Sequence, residues 1–240
     1  MNVAIPRPPC LVAFDADYTV LRPGPQFEAR GYRELGHTFG LDLDESRWPQ
    51  AERAAFLAVK ERRELHRDGH DDGLMQAVAL AVIRAMGGRG EARIRACAEA
   101  QIERWHRIES FSLYEDVLPC LRLLAAAGVR GALISNTARD LREAVAHFGL
   151  SSFIGTAVAS SEVGAMKPDP RIFTVALARA GVAPEDAVMV GDNYYDDVLG
   201  ARNAGMSAIL LDRGGRSGKD VPTIRSLAEL PAAVGASRSP

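Results

Sequence analysis

The stretch "CLVAFDADYTVL", Cys10–Leu21, changes character at its middle. Cys10 to Phe14 are apolar without interruption, and then Asp15, Asp17 and Thr19 follow at alternate positions. A short continuous apolar run fits a strand covered on both faces of a sheet. Asp and Thr are also common turn and cap residues, so the acids alone could mark no more than a turn. They could equally mark a site at the carboxyl end of the strand. In an extended segment the carboxylates of Asp15 and Asp17 would face opposite ways. For both to serve one site, the chain must turn at Ala16–Asp17.

The sequence beyond this stretch selects between these readings. From about Tyr114, helical and strand patterns alternate. "DVLPCLRLLAAAG" is followed by "VRGALISN", "RDLREAVAHFG" by "GTAVAS", "DPRIFTVALARAG" by "DAVMVGDN", and "DDVLGARNAG" by "SAILLD". Each helical segment ends on a glycine, the residue that most readily adopts the left-handed turn closing a helix. Such alternation predicts βαβ units, hence an α/β fold: a Rossmann-like, doubly wound parallel sheet with helices on both faces. Between about Phe27 and Ile108 the pattern is helical throughout, as in "MQAVALAVIRAM" and "RIRACAEAQIERW". Its breaks at "GLDLDESRWP", "RDGHDDG" and "MGGRGE" predict four helices. The expected organisation is a core of residues 1–22 and 112–240, interrupted after its first strand by an all-α cap of residues 23–111. In open α/β sheets, ligands bind beyond the carboxyl ends of the strands where strand order reverses. An insertion leaving from that edge would hang over the site as a lid.

Composition narrows the function. A chain of 240 residues can bury one sizeable core, or a core and a smaller domain. Its formal net charge of -2 speaks against a nucleic-acid partner. No apolar run reaches the roughly 18 residues of a membrane span. The opening "MNVAIPRPPC" lacks the layout of a secretory leader, so a cytoplasmic protein is expected. Cys10, Cys97 and Cys120 share no metal-binding spacing and read as free thiols, with Cys10 and Cys120 expected in the core. Oligomeric state is not legible.

After each strand stands a polar group. "DADYT" follows the first and "SNT" (Ser135, Asn136) the second; the third leads through "SSEVGAMKPDP" to Lys167, and "GDNYYDD" follows the fourth. Lys167 is one of only three lysines, beside Lys60 and Lys219, in a chain that otherwise uses Arg. The set holds carboxylates, hydroxyls and an ammonium, without a Cys/His cluster. Oxygen ligands of this kind suit a hard ion such as Mg²⁺.

These segments, in this order, resemble the motifs of the haloacid dehalogenase superfamily, in the phosphatase branch with a helical cap after the first strand. "DADYT" is similar to its DxDxT, "ISNT" to its strand-end Ser/Thr, "KPDP" to its lysine motif and "GDNYYDD" to its acidic motif. The resemblance implies hydrolysis of a small phosphorylated metabolite through an aspartyl phosphate. Asp15 would be the nucleophile, and Asp17 the general acid and then the general base. Lys167 would contact Asp15 and the phosphate, and Thr19 would orient Asp15. Ser135 and Asn136, at the start of the following helix, would lie at the phosphate. Mg²⁺ would be held by Asp15, the Asp17 carbonyl and Asp192, beside the second acid of the last motif. Both Asp196 and Asp197 are present there. The continuation "DVLGA" favours Asp197, which leaves Asp196 as a helix cap.

One position departs from the family pattern. Tyr18 stands where most members carry Gly, and Tyr tolerates a positive φ poorly. Two other readings remain: a hydrolytic 2-haloacid dehalogenase, and a binding or regulatory protein of this fold without turnover. Dehalogenases lack the acid two residues after the nucleophile, because halide leaves without a proton. A phosphomutase would share the motifs of a phosphatase. "RDGHDDG", with His70, Asp71 and Asp72, is the expected selectivity loop of the cap.

Overall fold

In the computed structural model, which describes residues 8–65 and 73–236, the opening apolar run is the central strand of a parallel sheet. The loop "RDGHDDG", with His70, Asp71 and Asp72, lies outside the described residues. Strands β1 (Leu11–Phe14) and β2 (Leu21–Pro23) precede helices α1 (Ala29–Thr38), α2 (Trp48–Leu65), α3 (Gly73–Ala85) and α4 (Glu91–His106). Then come β3 (Phe111–Leu113), α5 (Val117–Ala126), β4 (Arg130–Ser135), α6 (Leu141–His147), β5 (Ile154–Ala159) and α7 (Ser160–Val163). They are followed by α8 (Pro170–Ala180), β6 (Ala187–Gly191), a π-helical turn (Tyr194–Leu199) and α9 (Gly200–Asn203). Strands β7 (Ser207–Leu211) and β8 (Thr223–Ile224) and helix α10 (Leu230–Ala233) close the described chain. Two compact units result: residues 1–22 with 112–240, and residues 23–111.

The first unit holds a six-stranded sheet in the order β5-β4-β1-β6-β7-β8. β1 pairs in parallel with β4 on one side and β6 on the other. Chain order therefore reverses at β1, and the ends of β1, β4 and β6 lie side by side. All four residues of β1 and all five of β6 are buried, as strands covered on both faces must be. Leu11, Ala13, Ala132, Ile134 and Met189 join Ile172, Phe173, Ala176 and Leu177 of α8 in one cluster. α5 packs against β4, presenting Cys120, Leu121 and Leu124 at helical spacing. α8 opens on Asp169, whose carboxylate accepts from Arg171 N–H, with Pro170 in its first turn, and it closes on Gly181 at φ 62°.

The second unit is built on α1–α4. Tyr32, Leu35, Leu43, Val82, Ile83, Met86, Ile94 and Cys97 form its core. Trp105 meets Phe27 and Phe111 edge-on at 4.9 and 5.0 Å, and Trp48 packs 5.9 Å from Tyr32. Both tryptophans are half-buried in this packing. Among the described residues, no helix is long and apolar enough to cross a membrane.

Two expectations are corrected here. Cys10 is exposed, not core. It precedes β1 and serves through its backbone, donating to Asp186 O and accepting from Arg130 N. Cys97 and Cys120 are buried, and burial pushes their thiols up to about 11 and 12. The segment "DDVLGARNAG" is not a plain α-helix, because it opens as the π-helical turn. Asn193 caps that turn, its carboxamide oxygen accepting from Tyr195 and Asp196 N–H. Asp196 is thus capped rather than capping.

Candidate active site

The site grows from the turn after β1. Asp15 N–H donates to Val190 O at 2.9 Å, which carries the sheet ladder one residue beyond the strand. The chain then folds back at once. Val20 and Leu21 N–H both donate to Ala16 O, and Tyr18 N–H donates to Leu21 O at 2.8 Å. This is the turn that a shared role for Asp15 and Asp17 requires, and it places Tyr18 at φ 62°. Among the described residues, Tyr18 is the one non-glycine with positive φ. Such strain persists where surrounding contacts over-determine it, often beside functional groups.

Lys167 lies at the centre. Its Nζ donates to Asp15 Oδ1 and to Asp197 Oδ1, each at 2.6 Å, and the residue is 4% exposed. The second Asp197 oxygen accepts from Asn193 N–H at 2.9 Å. Glycine at 191 makes this possible, since a Cβ there would stand 2.1 Å from Asp197 Oδ2. Carboxylate oxygens of Asp15, Asp192 and Asp197 all lie within 4.8 Å of one another. Asp197, not Asp196, is the acid this constellation uses.

Charge is crowded here. Three carboxyl groups crowd around one ammonium, which cannot balance all of them when they are ionised. Burial, with the Asp197 and Asp192 charges, raises the Asp15 carboxyl well above its usual value, although Lys167 pulls the other way. Burial and then the Asp197 charge push Asp192 up to about 7, again against Lys167. Burial works against the Lys167 ammonium, but the two carboxylates it bridges outweigh that and raise it. Beside Asp192 opens a cleft of about 290 Å³, lined among others by Tyr18, Tyr114, Arg213 and Arg216.

The remaining expected residues fall differently. Ser135 ends β4 and is 2% exposed. Asn136 clamps the Lys167 backbone with both ends of its carboxamide. Its Oδ1 accepts from Lys167 N–H at 2.7 Å and its Nδ2 donates to Lys167 O at 2.9 Å. Thr19 does not hold Asp15: its hydroxyl is buried without a hydrogen-bond partner among the described residues, and the residue is 0% exposed. The tight return to Ala16 O turns it inward, where its carbonyl accepts from Arg213 Nη2. The Asp17 carboxylate stands outside the acidic cluster and pairs with Arg139.

Arg139 is the residue sequence reasoning missed. It is 5% exposed, and its guanidinium donates to Asp17 Oδ1. A signal was available. Arg139 immediately precedes Asp140, the N-cap of α6, and a cation is misplaced beside the positive end of a helix. Such a residue needs a carboxylate elsewhere to justify its place.

Residues 11–205 match the family described as haloacid dehalogenase-like hydrolase. Over 140 residues the chain is 44% identical to phosphoserine phosphatase from Thermus thermophilus, a match covering 58% of this chain and 55% of that protein. Over 207 residues it is 30% identical to haloacid dehalogenase-like hydrolase domain-containing protein 3 from Homo sapiens, covering 84% of this chain and 81% of the relative. The chain spans about half the length of the curated relatives it matches at higher identity. Among solved structures, a HAD phosphatase from Thermococcus onnurineus superposes with a TM-score of 0.63 at 27% identity, over 95% of this chain and 99% of that one.

Proposed function

The chain belongs to the haloacid dehalogenase-like hydrolases, and we propose that it hydrolyses a small-molecule phosphomonoester in two steps through Asp15. The observation that carries this reading is the buried Lys167 bridge between Asp15 and Asp197, with Asp17 two residues from the nucleophile. Phosphoserine phosphatase among the relatives points to the same substrate class. The helical unit of residues 23–111 is taken as the cap, on the strength of its insertion just after β1.

Lys167 holds Asp15 Oδ1 and so fixes the rotation of that carboxylate. In the first step an Asp15 oxygen attacks phosphorus, the bond to the leaving oxygen breaks, and Asp17 gives that oxygen its proton. In the second, water attacks the phosphoryl-aspartate, Asp17 takes the water's proton, and phosphate departs with Asp15 restored. Asn136 keeps the Lys167 backbone, and through it the ammonium, in register. Three clustered carboxyl groups with oxygen ligands fit a hard divalent cation, and Asp15, Asp192 and Asp197 would hold Mg²⁺. Bound there, Mg²⁺ would offset the repulsion between anionic nucleophile and anionic ester. Asp17 disfavours a dehalogenase, since halide needs no proton to leave.

The test is phosphate release from a panel of phosphomonoesters that includes phosphoserine, with and without Mg²⁺ after chelation. Release only in the presence of metal is expected. Silence on every ester, or full turnover by the chelated protein, would refute the proposal.

A further inference from the structure

We infer that Arg139 is a positioning residue that aims the Asp17 carboxylate at the leaving oxygen; this rests on the phosphatase reading above. The inference starts from burial. The Arg139 side chain is 3% exposed and the Asp17 side chain 17%. The guanidinium donates to Asp17 Oδ1, and under that contact the Asp17 carboxyl passes through both forms, protonated before the first step and ionised before the second. The pair joins residues 122 positions apart, so it ties the turn after β1 to the loop after β4.

That loop is itself anchored. Thr137 N–H donates to Ser160 Oγ at 3.0 Å, and Ser160 Oγ donates back to Thr137 O at 3.3 Å; Ser160 is fully buried at the start of α7. Arg139 N–H donates to Thr137 Oγ1 at 3.1 Å, and Asp140 then caps α6. Both flanks of Arg139 are thus fixed before its side chain extends. The same short loop carries Asn136, which clamps the Lys167 backbone. One anchored loop therefore sets the position of two groups that must meet at the ester: Lys167 through Asn136, and Asp17 through Arg139. Asp17 sits on the turn that places Tyr18 at φ 62°, and its carboxylate accepts from Arg139.

The test compares wild type, Arg139→Ala, Arg139→Gln, Arg139→Lys, Asp17→Asn and the double variant Arg139→Ala/Asp17→Asn at saturating Mg²⁺. The quantity measured is kcat/KM for p-nitrophenyl phosphate, whose leaving group needs no proton, and for phosphoserine, whose alkoxide does. General acid–base help is worth about 10²–10⁴-fold, so Arg139→Ala and Arg139→Gln should lose at least about 10-fold more on phosphoserine than on the aryl ester. Arg139→Lys should recover part of that difference. In the double variant, Arg139→Ala should add little to the loss from Asp17→Asn, as expected for coupled residues. Arg139→Gln keeps the volume and serves where Arg139→Ala fails to fold, and melting midpoints identify that case. Equal losses on both esters, or losses that multiply with Asp17→Asn, would overturn the inference. Where phosphoserine is not turned over, an alkyl ester of the panel that the wild type does turn over takes its place, and a wild-type protein inactive on every ester of the panel would overturn the phosphatase reading and this inference with it.

Discussion

Tyr18 shows how much one residue can withhold. The sequence marks it as a departure, because a bulky side chain stands where the surrounding turn calls for glycine. In the structure it takes the glycine conformation all the same, at φ 62°, with the residue 49% exposed. A left-handed conformation costs a non-glycine residue about 1–2 kcal/mol, and a half-exposed side chain returns only part of that through burial. Tyr18→Gly relieves about 1–2 kcal/mol of strain but gives the unfolded chain about 0.5–1 kcal/mol more freedom and loses the buried half of the side chain, so urea unfolding should shift by less than about 1 kcal/mol. A larger loss of stability would show that the ring's contacts outweigh the strain. Asp15, Lys167 and Asp197 were legible because each stands at a strand or helix edge in a recognisable motif. The working partners of Asn136 and Arg139 were not. Asn136 meets Lys167 across 31 residues and Arg139 meets Asp17 across 122. No local pattern encodes contacts of that range.

At the scale of elements, the junction of β6 with the π-helical turn carries the most chemistry per residue. Gly191 ends the strand, Asn193 caps the turn, and Asp197 reaches back to Asn193 N–H and Lys167 Nζ. In Gly191→Ala, the new methyl would occupy the place of Asp197 Oδ2. Overpacking of this kind costs about 1–3 kcal/mol, and displacing Asp197 also releases Lys167. Reduced urea stability together with loss of phosphatase activity is expected; wild-type values for both would contradict the geometry. A second junction lies before α5. Asp116 accepts from Arg213 Nη1 and Nη2, Ser226 Oγ and Leu227 N–H at 2.7–3.0 Å. Burial works against its charge, but these bonds outweigh it and hold the carboxyl below its usual value. A carboxyl lowered in the folded state stabilises above its unfolded pKa and loses that contribution as pH falls. Asp116→Asn should cost about 2 kcal/mol at pH 7, a gap that narrows below about pH 4. A gap constant with pH would disprove the charge assignment. The longer helices and inner strands were legible from their periods, since apolar positions at helical spacing or in short buried runs report burial directly. α7, with four residues, and β8, with two, are too short to show any period. The π-helical turn, six residues long, is likewise too short to stand out from an α-helical pattern.

For the whole molecule, the α/β class followed from the alternation of strand and helix patterns after Tyr114. The order β5-β4-β1-β6-β7-β8 did not, because pairing between distant strands leaves no trace in local composition. That order makes the site, setting the ends of β1, β4 and β6 together where chain direction reverses. If the clustered carboxylates hold Mg²⁺, the ion should stabilise the folded protein by mass action, by about 2.7 kcal/mol at one hundred times its dissociation constant. The melting midpoint should rise with Mg²⁺ in wild type and much less in Asp192→Asn; a midpoint indifferent to Mg²⁺ would remove Asp192 from the account. The central claim is that Asp15 carries the phosphoryl group while Asp17 handles the proton. It is tested most directly by intact-protein mass spectrometry of Asp17→Asn after incubation with p-nitrophenyl phosphate and Mg²⁺. Phosphorylation should proceed because the leaving group is stable, and hydrolysis should stall because no base activates the water. The predicted result is a mass gain of one phosphoryl group, mapped by peptide analysis to Asp15 and absent from Asp15→Asn/Asp17→Asn. No mass gain, with aryl and alkyl phosphates slowed equally, would contradict the account.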